Sequence, residues 1–296
     1  MLGRITSQQL LYGSQRNISA AKSQLAKLQD KASSGRAIST PSDDPTGTVA
    51  ALQIRSQQRA NAQYGSNIDD GLAWLGTVDG SLTSSENLLR QAIDLTVQGS
   101  NSGTMTPATR EALANQLDGV RADLLGQANT KYLGRSVFAG NSDAPAAFDA
   151  TYSYNGSSGS TVQRRISGTE TVTVSADGSA AFGAGGSSVF ATIDTITAAL
   201  RGGNDAAVRS GLDTLKTNLT TMGAEHAVVG GHYARLQQAK TTNGNAATSL
   251  ETQRSGVEDA DTAQVLVDLK TQELSYQTAL AVTAQSIQPT LMSFLK

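Results

Sequence analysis

The sequence predicts a mainly α-helical protein with a β-rich insertion. The expected form is an elongated rod of long antiparallel helices, with terminal N and C helices forming a coiled coil and a small β domain inserted between the helical arms. Three observations lead there. Apolar residues recur at seven-residue spacing over long stretches at both ends of the chain, the mark of helices that bury a narrow seam. Residues 134 to 188 break that pattern with recurrent glycines and β-favouring pieces. Apolar residues make up only 38% of the 296 and aromatics 4%, too few large side chains for a thick core and well suited to thin helix-on-helix packing.

Residues 1–44 read as an N-terminal coiled-coil helix and a turn. Leu11, Ile18, Leu25 and Ala32 are spaced by sevens, Ser14, Ala21 and Leu28 fill the alternate positions, and Ser33-Ser34-Gly35 closes the helix. The stretch STPSDDPTG (39 to 47) then interrupts the chain. Pro41 disfavours helical geometry at Thr40. Asp44 is placed to accept an orphan backbone N–H as an N-cap. Pro45 falls on the first helical position, where its missing N–H costs nothing. Asp43 and Asp44 meet the positive end of the new helix dipole. The stretch therefore predicts a stop, a turn and a capped restart.

Residues 45–133 form the first half of the helical rod. Ile54, Asn61, Ile68, Leu75, Leu82 and Leu89 recur every seven residues, joined by Leu72 and Ile93, until the stripe fades at residues 99–103. Thr106-Pro107 opens another helix with Leu113, Leu117, Val120 and Leu124 on one face. The inserted β-rich domain is set at 134–197. Its strand candidates are 136–138, 152–154, 161–163 and 171–174, and Asn155-Gly156 and Asp177-Gly178 are hairpin-turn dipeptides. Residues 198–260, the second half of the rod, carry Leu212, Leu215, Leu219, Met222, His226, Val229, Tyr233 and Leu236 at alternating spacings of 3 and 4. Residues 261–296 are the C-terminal coiled-coil helix, with Leu266, Leu269, Leu280, Ile287, Leu291 and Leu295. Stripes at both ends predict that the terminal segments pack together, with the β domain at or near the opposite pole.

Composition narrows function. The formal net charge is -2 and no basic patch appears, which argues against a nucleic-acid partner. No apolar run approaches a membrane span. The first 17 residues lack the apolar stretch of a cleavable secretory signal, so an extracellular location would require a dedicated export machine. The absence of cysteine excludes disulfides and thiolate chemistry.

Candidate chemistry is sparse. The two histidines, His226 and His232, are six residues apart, about 600° of helical rotation, so they do not share a face as a metal pair would. His226 reads as a packed inter-helix histidine. Asp69 and Asp70 read as a solvated helix face, and VEDAD (257 to 261) as a carboxylate-rich helix start lacking the glycine turn of a calcium loop. GAGG (183 to 186) reads as a flexible connector and Arg164-Arg165 as a strand end. No catalytic residue, cofactor or metal is expected.

What remains is surface. Few aromatics exist to seal the terminal stripes within one subunit, so Leu11, Ile18, Leu25, Leu28, Leu266, Leu269, Leu280, Ile287, Leu291 and Leu295 are expected to form an assembly seam, finished by neighbouring subunits. Pro41, Asp43, Asp44 and Pro45 are the expected helix break and cap.

The stretch LQDKASSGRAISTPSDDPTGTVAALQIRSQ (28 to 57) resembles the N-terminal signature of the flagellin superfamily, and RSGVEDADTAQVLVDLKTQELSYQTALAVTAQSIQPTLMSFLK (254 to 296) is similar to its C-terminal region. Three details resemble the hook–filament junction branch: the proline after the Asp pair, YLGRSVFAGNSDAPAAF (132 to 148), and the LMSFLK end. That resemblance implies a structural, non-enzymatic component of the extracellular bacterial flagellum, exported through the flagellar type III apparatus without a cleavable signal. It implies an adaptor layer whose partners are the hook-side junction protein, flagellin, copies of itself in a ring layer and a flagellar export chaperone. The alternative is flagellin, the main filament subunit.

Overall fold

A computed structural model describes residues 7–101 and 105–292, and side chains at Gln9, 12–101 and 105–285. Seven helices carry most of the described chain: α1 (Ser7–Ser34), α2 (Pro45–Ser100), α3 (Pro107–Ala128), α4 (Gly178–Phe182), α5 (Val189–Gly202), α6 (Asp205–Glu258) and α7 (Thr262–Met292). Between α3 and α4 lie four short strands, β1 (Lys131–Tyr132), β2 (Arg135–Ser136), β3 (Gln163–Arg165) and β4 (Thr171–Thr173). They pair as two antiparallel ladders, β1 with β2 and β3 with β4.

The chain folds as two compact units, one from residues up to 60 and from 247 onward, the other from 61–246. Helices α2 and α6 contribute to both.

In the 61–246 unit the seven-residue stripe of α2 is covered completely: Ile68, Leu75, Leu82 and Leu89 have no exposed surface. Leu117 and Leu124 of α3 and Leu215, Met222 and Leu236 of α6 are equally buried against that column. Each large apolar side chain so buried is worth about 1.5–3 kcal/mol relative to exposure. Ion pairs set α2 antiparallel to α6. Asp69 binds Lys240 at 2.9 Å near one end, and Asp79 and Glu86 flank His226 at 2.9 and 2.8 Å further along. Asn61 and Asn243 occupy a polar layer of the same seam, where each amide donates to the other residue's main-chain carbonyl at 3.1 and 2.9 Å.

The insertion contains less strand than its composition predicts. Residues 136–138 enter β2 only at Ser136, residues 152–154 contribute a single bridge from Tyr154 to Phe148, and residues 161–163 begin β3 only at Gln163. Asp177-Gly178 is not a hairpin turn: the Asp177 carboxylate accepts the Ser179 N–H at 2.9 Å and caps α4. An Asp-Gly pair suits either geometry, and the alanines that follow favour helix. GAGG forms a 3-10 turn at Gly185–Ser187. Four of the chain's five phenylalanines (138, 148, 182 and 190) converge here. Phe148 meets Phe190 edge-on at 5.4 Å, and Phe182 stacks on Phe190 at 5.9 Å. Helix α5, unforeseen at 189–197, buries Phe190, Ile193, Ile196 and Leu200 and packs against α3.

Candidate assembly surface

In the other unit α1 and α7 pack along their lengths. The main-chain link of Gly35 to Ala260 at one end and the Gln272 amide donating to the Ala21 carbonyl at 3.2 Å further along make the pair antiparallel. On α1 the half-buried positions include Ser14, Ile18, Ala21, Leu25, Leu28 and Ala32, the row expected from the heptad, with Gly13 and Lys31 beside them. On α7 the covered row is Val265, Leu269, Gln272, Tyr276, Ala279 and Thr283, again spaced 4, 3, 4, 3, 4, with Val265 the most buried and Glu273 half-buried beside it. Leu266 and Leu280 are not on that stripe: they stand 54% and 42% exposed on the flank of α7, with Val267, Leu274 and Val282 exposed nearby. Val49 and Leu52 on the first turns of α2 are also exposed. The side chains of Leu11, Ile287 and Leu291 lie outside the described residues, as does all of Leu295. Counting leucines by sevens joined two stripes that the helix keeps apart, because the inner one is built partly from Gln272, Tyr276 and Thr283.

The helix break is as local chemistry requires. Gly35 ends α1 with a left-handed φ of 67°, its N–H donating to the Lys31 carbonyl at 2.9 Å. Asp44 caps α2, its carboxylate accepting the Gly47 N–H at 2.9 Å, and Pro45 is the first helical residue. Asp43 faces the other way, accepting the Thr40 N–H at 2.9 Å and the Ser39 N–H at 3.3 Å, so it holds the turn around Pro41 rather than the helix start. Those bonds, Thr40's first, keep its carboxyl below the usual range.

A second break at 259–261 docks on the first. The Ala37 N–H donates to the Glu258 carbonyl and the Ala260 N–H to the Gly35 carbonyl, both at 2.8 Å. VEDAD is therefore divided between two helices: Glu258 ends α6, while Asp261 caps α7 by accepting the Ala263 N–H at 3.0 Å. The buried Glu258 carboxylate is gripped by Arg55 through Nε at 2.7 Å and Nη2 at 2.8 Å, and by Arg254 at 3.3 Å. The Arg55 hydrogen bond is the main reason its pKa lies below the ordinary glutamate value. This clamp was not foreseen. Its signal, Arg55 and Glu258 beside the two breaks, has meaning only once the breaks are known to meet.

Other candidate residues are structural. Asp70 is not simply solvated: it binds Arg164 Nε at 2.6 Å, and Arg164 also lies 5.9 Å from the Trp74 ring centre. Burial opposes protonation of His226, but hydrogen bonds and charge from Asp79 and Glu86 outweigh it and raise its pKa. His232 lies on another face and is shifted down by burial and by Arg235. Among the described residues no group of acidic or histidine side chains has metal-site geometry, and no helix is long and apolar enough to cross a membrane.

The site is a frame of long helices in which two breaks dock on each other through main-chain hydrogen bonds. The family model of the bacterial flagellin N-terminal helical region matches residues 5–143, and that of the C-terminal helical region matches 212–295. The chain belongs to the flagellin family.

Within that family, it is 26% identical over 93% of its length to flagellar hook-associated protein 3 of Salmonella typhimurium, covering 94% of that protein. It is 31% identical to a Bacillus subtilis flagellin over 35% of its length, covering 36% of the flagellin. Among solved structures it is similar to a flagellar hook-associated protein of Vibrio parahaemolyticus, with TM-score 0.68 and 21% identity, covering 73% of this chain and all of that one. It is also similar to Bacillus cereus FlgL, with TM-score 0.61 and 22% identity, covering 69% and 99%. The structural likenesses show the same fold.

Proposed function

We propose that the chain is a structural adaptor of the bacterial flagellum, a layer joining the hook-side junction protein to the flagellin filament. The observation that carries this reading is the apolar flank of α7 around Leu266, Leu274 and Leu280, left open although α1 already covers the inner stripe. An exposed apolar stripe on a long helix is a surface made to be buried by a neighbour. The match along nearly the whole length of a hook-associated protein supports the junction position, whereas the flagellin matches cover about a third to a half of the chain. The adaptor acts by packing, without catalysis. Its neighbours are the hook-side junction protein, flagellin and copies of itself in a ring, and it reaches the flagellum through the type III export apparatus, escorted by a chaperone, with no cleaved signal. The Pro41 to Pro45 break and its docked partner at 259–261 hold the terminal pair in place for those contacts.

A strain lacking the chain tests this directly. The adaptor reading expects intact hooks, no attached filament and flagellin released into the medium. The bulk-subunit alternative, favoured by the local flagellin match, expects the chain to dominate sheared filaments. Abundance in that fraction comparable to flagellin would overturn the adaptor reading.

A further inference from the structure

The β1–β2 hairpin turns through two residues, Leu133 and Gly134, with φ of 46° and 83°. Two successive left-handed residues make the tight hairpin turn whose natural occupants are Asn-Gly or Asp-Gly. Leucine is disfavoured in that backbone region. Here it is also 83% exposed, so neither turn geometry nor burial within the chain accounts for it. An outlier of this kind points toward use in a contact.

The tip is held firmly. Tyr132 meets Trp74 of α2 edge-on at 5.6 Å, and the Arg135 guanidinium lies 5.8 Å from the same ring centre. Flanking the leucine are Lys131 and Arg135, neither of which makes an ion pair among the described residues. The hairpin is thus an apolar knob between two cations that lack acidic partners among the described residues, one of them resting on the Trp74 ring.

The same unit carries a surface of opposite character. Between α2 and α3 runs an open groove of about 580 Å³, with Leu88 and Ala122 among its apolar lining and Asn87, Gln91 and Asp123 beside them. Asp94 follows Gln91 by three residues on that face of α2. Asp94 and Asp123 make no ion pair among the described residues. Leu133 is not seated in the groove of its own chain, as its exposure shows.

We infer that the Leu133 knob of one copy docks into the α2–α3 groove of the next, with Lys131 and Arg135 facing Asp94 and Asp123. The occupant is a second copy because knob and groove are complementary in both shape class and charge and both belong to this chain. A contact between two different patches of identical subunits propagates head to tail and closes into a ring when the rotation permits. This rests on the layer reading of the preceding subsection and gives that layer its lateral contact.

The chain has no cysteine, so introduced thiols report without background. In a strain producing only the Leu133→Cys, Gln91→Cys double variant, purified hook–filament structures are oxidised and run without reductant. The expected result is a ladder of cross-linked copies, absent from either single variant. Incorporation is measured in the same preparation by immunolabelling. Chain present at the junction without a ladder overturns the knob contact alone, as does a Leu133→Cys adduct to a different protein. Chain absent from the junction in the unmodified strain overturns the layer reading and this contact with it. Leu133→Asn provides a second arm, because asparagine suits the turn. Its monomer is expected to melt no lower than the parent, while attached filaments fall several-fold. Unchanged attachment overturns the proposal. Lys131→Glu with Arg135→Glu is expected to give the same loss, restored by Asp94→Lys with Asp123→Lys. Failure of that exchange to restore attachment in folded, incorporated protein also counts against it.

Discussion

The α2 stripe in the 61–246 unit and the α7 stripe in the terminal unit are written in the same sequence pattern but end in opposite environments. Ile68, Leu75, Leu82 and Leu89 are sealed by α3, α6 and the insertion, whereas Leu266 and Leu280 remain in water beside a helix pair that buries only its inner row. Two packed helices can cover one seam each, and a third layer is needed to cover a flank. The first unit has that layer. In the second, the adaptor reading proposed above assigns that layer to a neighbouring subunit.

The comparison breaks if the two units respond alike to mutation. The largest effect on the isolated chain is expected from Phe148→Ala, which empties the centre of the phenylalanine cluster. It should cost about 3–5 kcal/mol, read as a lowered denaturation midpoint. A loss under 1 kcal/mol would mean the insertion does not share the core it is packed into.

The joint of the terminal unit comes next. Glu258→Ala leaves Arg55 and Arg254 facing a vacated site and should cost about 2 kcal/mol, tempered by the partial exposure of both arginines. Because the folded pKa of Glu258 is depressed, its contribution is present above the unfolded value near 4.5 and is lost as pH falls through the folded value. Acid titration of the parent, compared with Glu258→Gln, should show amide exchange at Ala37 and Ala260 accelerating below about pH 4.5 only in the parent. Equal acid sensitivity in both proteins would remove Glu258 from the joint.

His226 sharpens the contrast, because its sign is reversed. Its folded pKa is raised, so its contribution is fully present below the unfolded value of 6.5 and is lost as pH rises through the folded value. The 61–246 unit should therefore lose stability as pH rises from 6 toward 9. His226→Gln should flatten that dependence, which NMR titration of the imidazole and melts at the two pH values would check. A flat profile in the parent would assign no linkage to the Asp79–His226–Glu86 set.

The smallest effect on the monomer is the most telling. Leu266→Asp and Leu280→Asp alter exposed positions and should change stability by no more than about 0.5 kcal/mol. Incorporation between hook and filament should nevertheless fail. Normal incorporation of the exported double variant would show that this flank is not an assembly surface.

Particular residues show where sequence reading stopped. The α2 heptad was legible because each apolar residue lies one near-integral pair of turns from the last, a relation internal to the helix. The Asp44–Pro45 restart was legible because capping involves only the next three residues. Helix α5 carried a readable pattern at Val189, Phe190, Ile193, Ile196 and Leu200, but neighbouring glycines and β-favouring residues drew its beginning into the insertion. Asp177-Gly178 was ambiguous because hairpin turns and helix caps use the same residues.

By itself, then, the sequence determined the long helices, the position of the first break with its Asp44–Pro45 restart, and the existence of apolar stripes at both ends, all consequences of interactions within a few residues of chain. The tertiary structure decided which stripe is covered and which stays open. It also decided that the breaks at 35–44 and 259–261 dock through Gly35, Ala37, Glu258 and Ala260, and that Glu258 lies in the grip of Arg55 from 203 residues away. Those outcomes depend on partners distant along the chain, and no local periodicity specifies which surfaces are brought together.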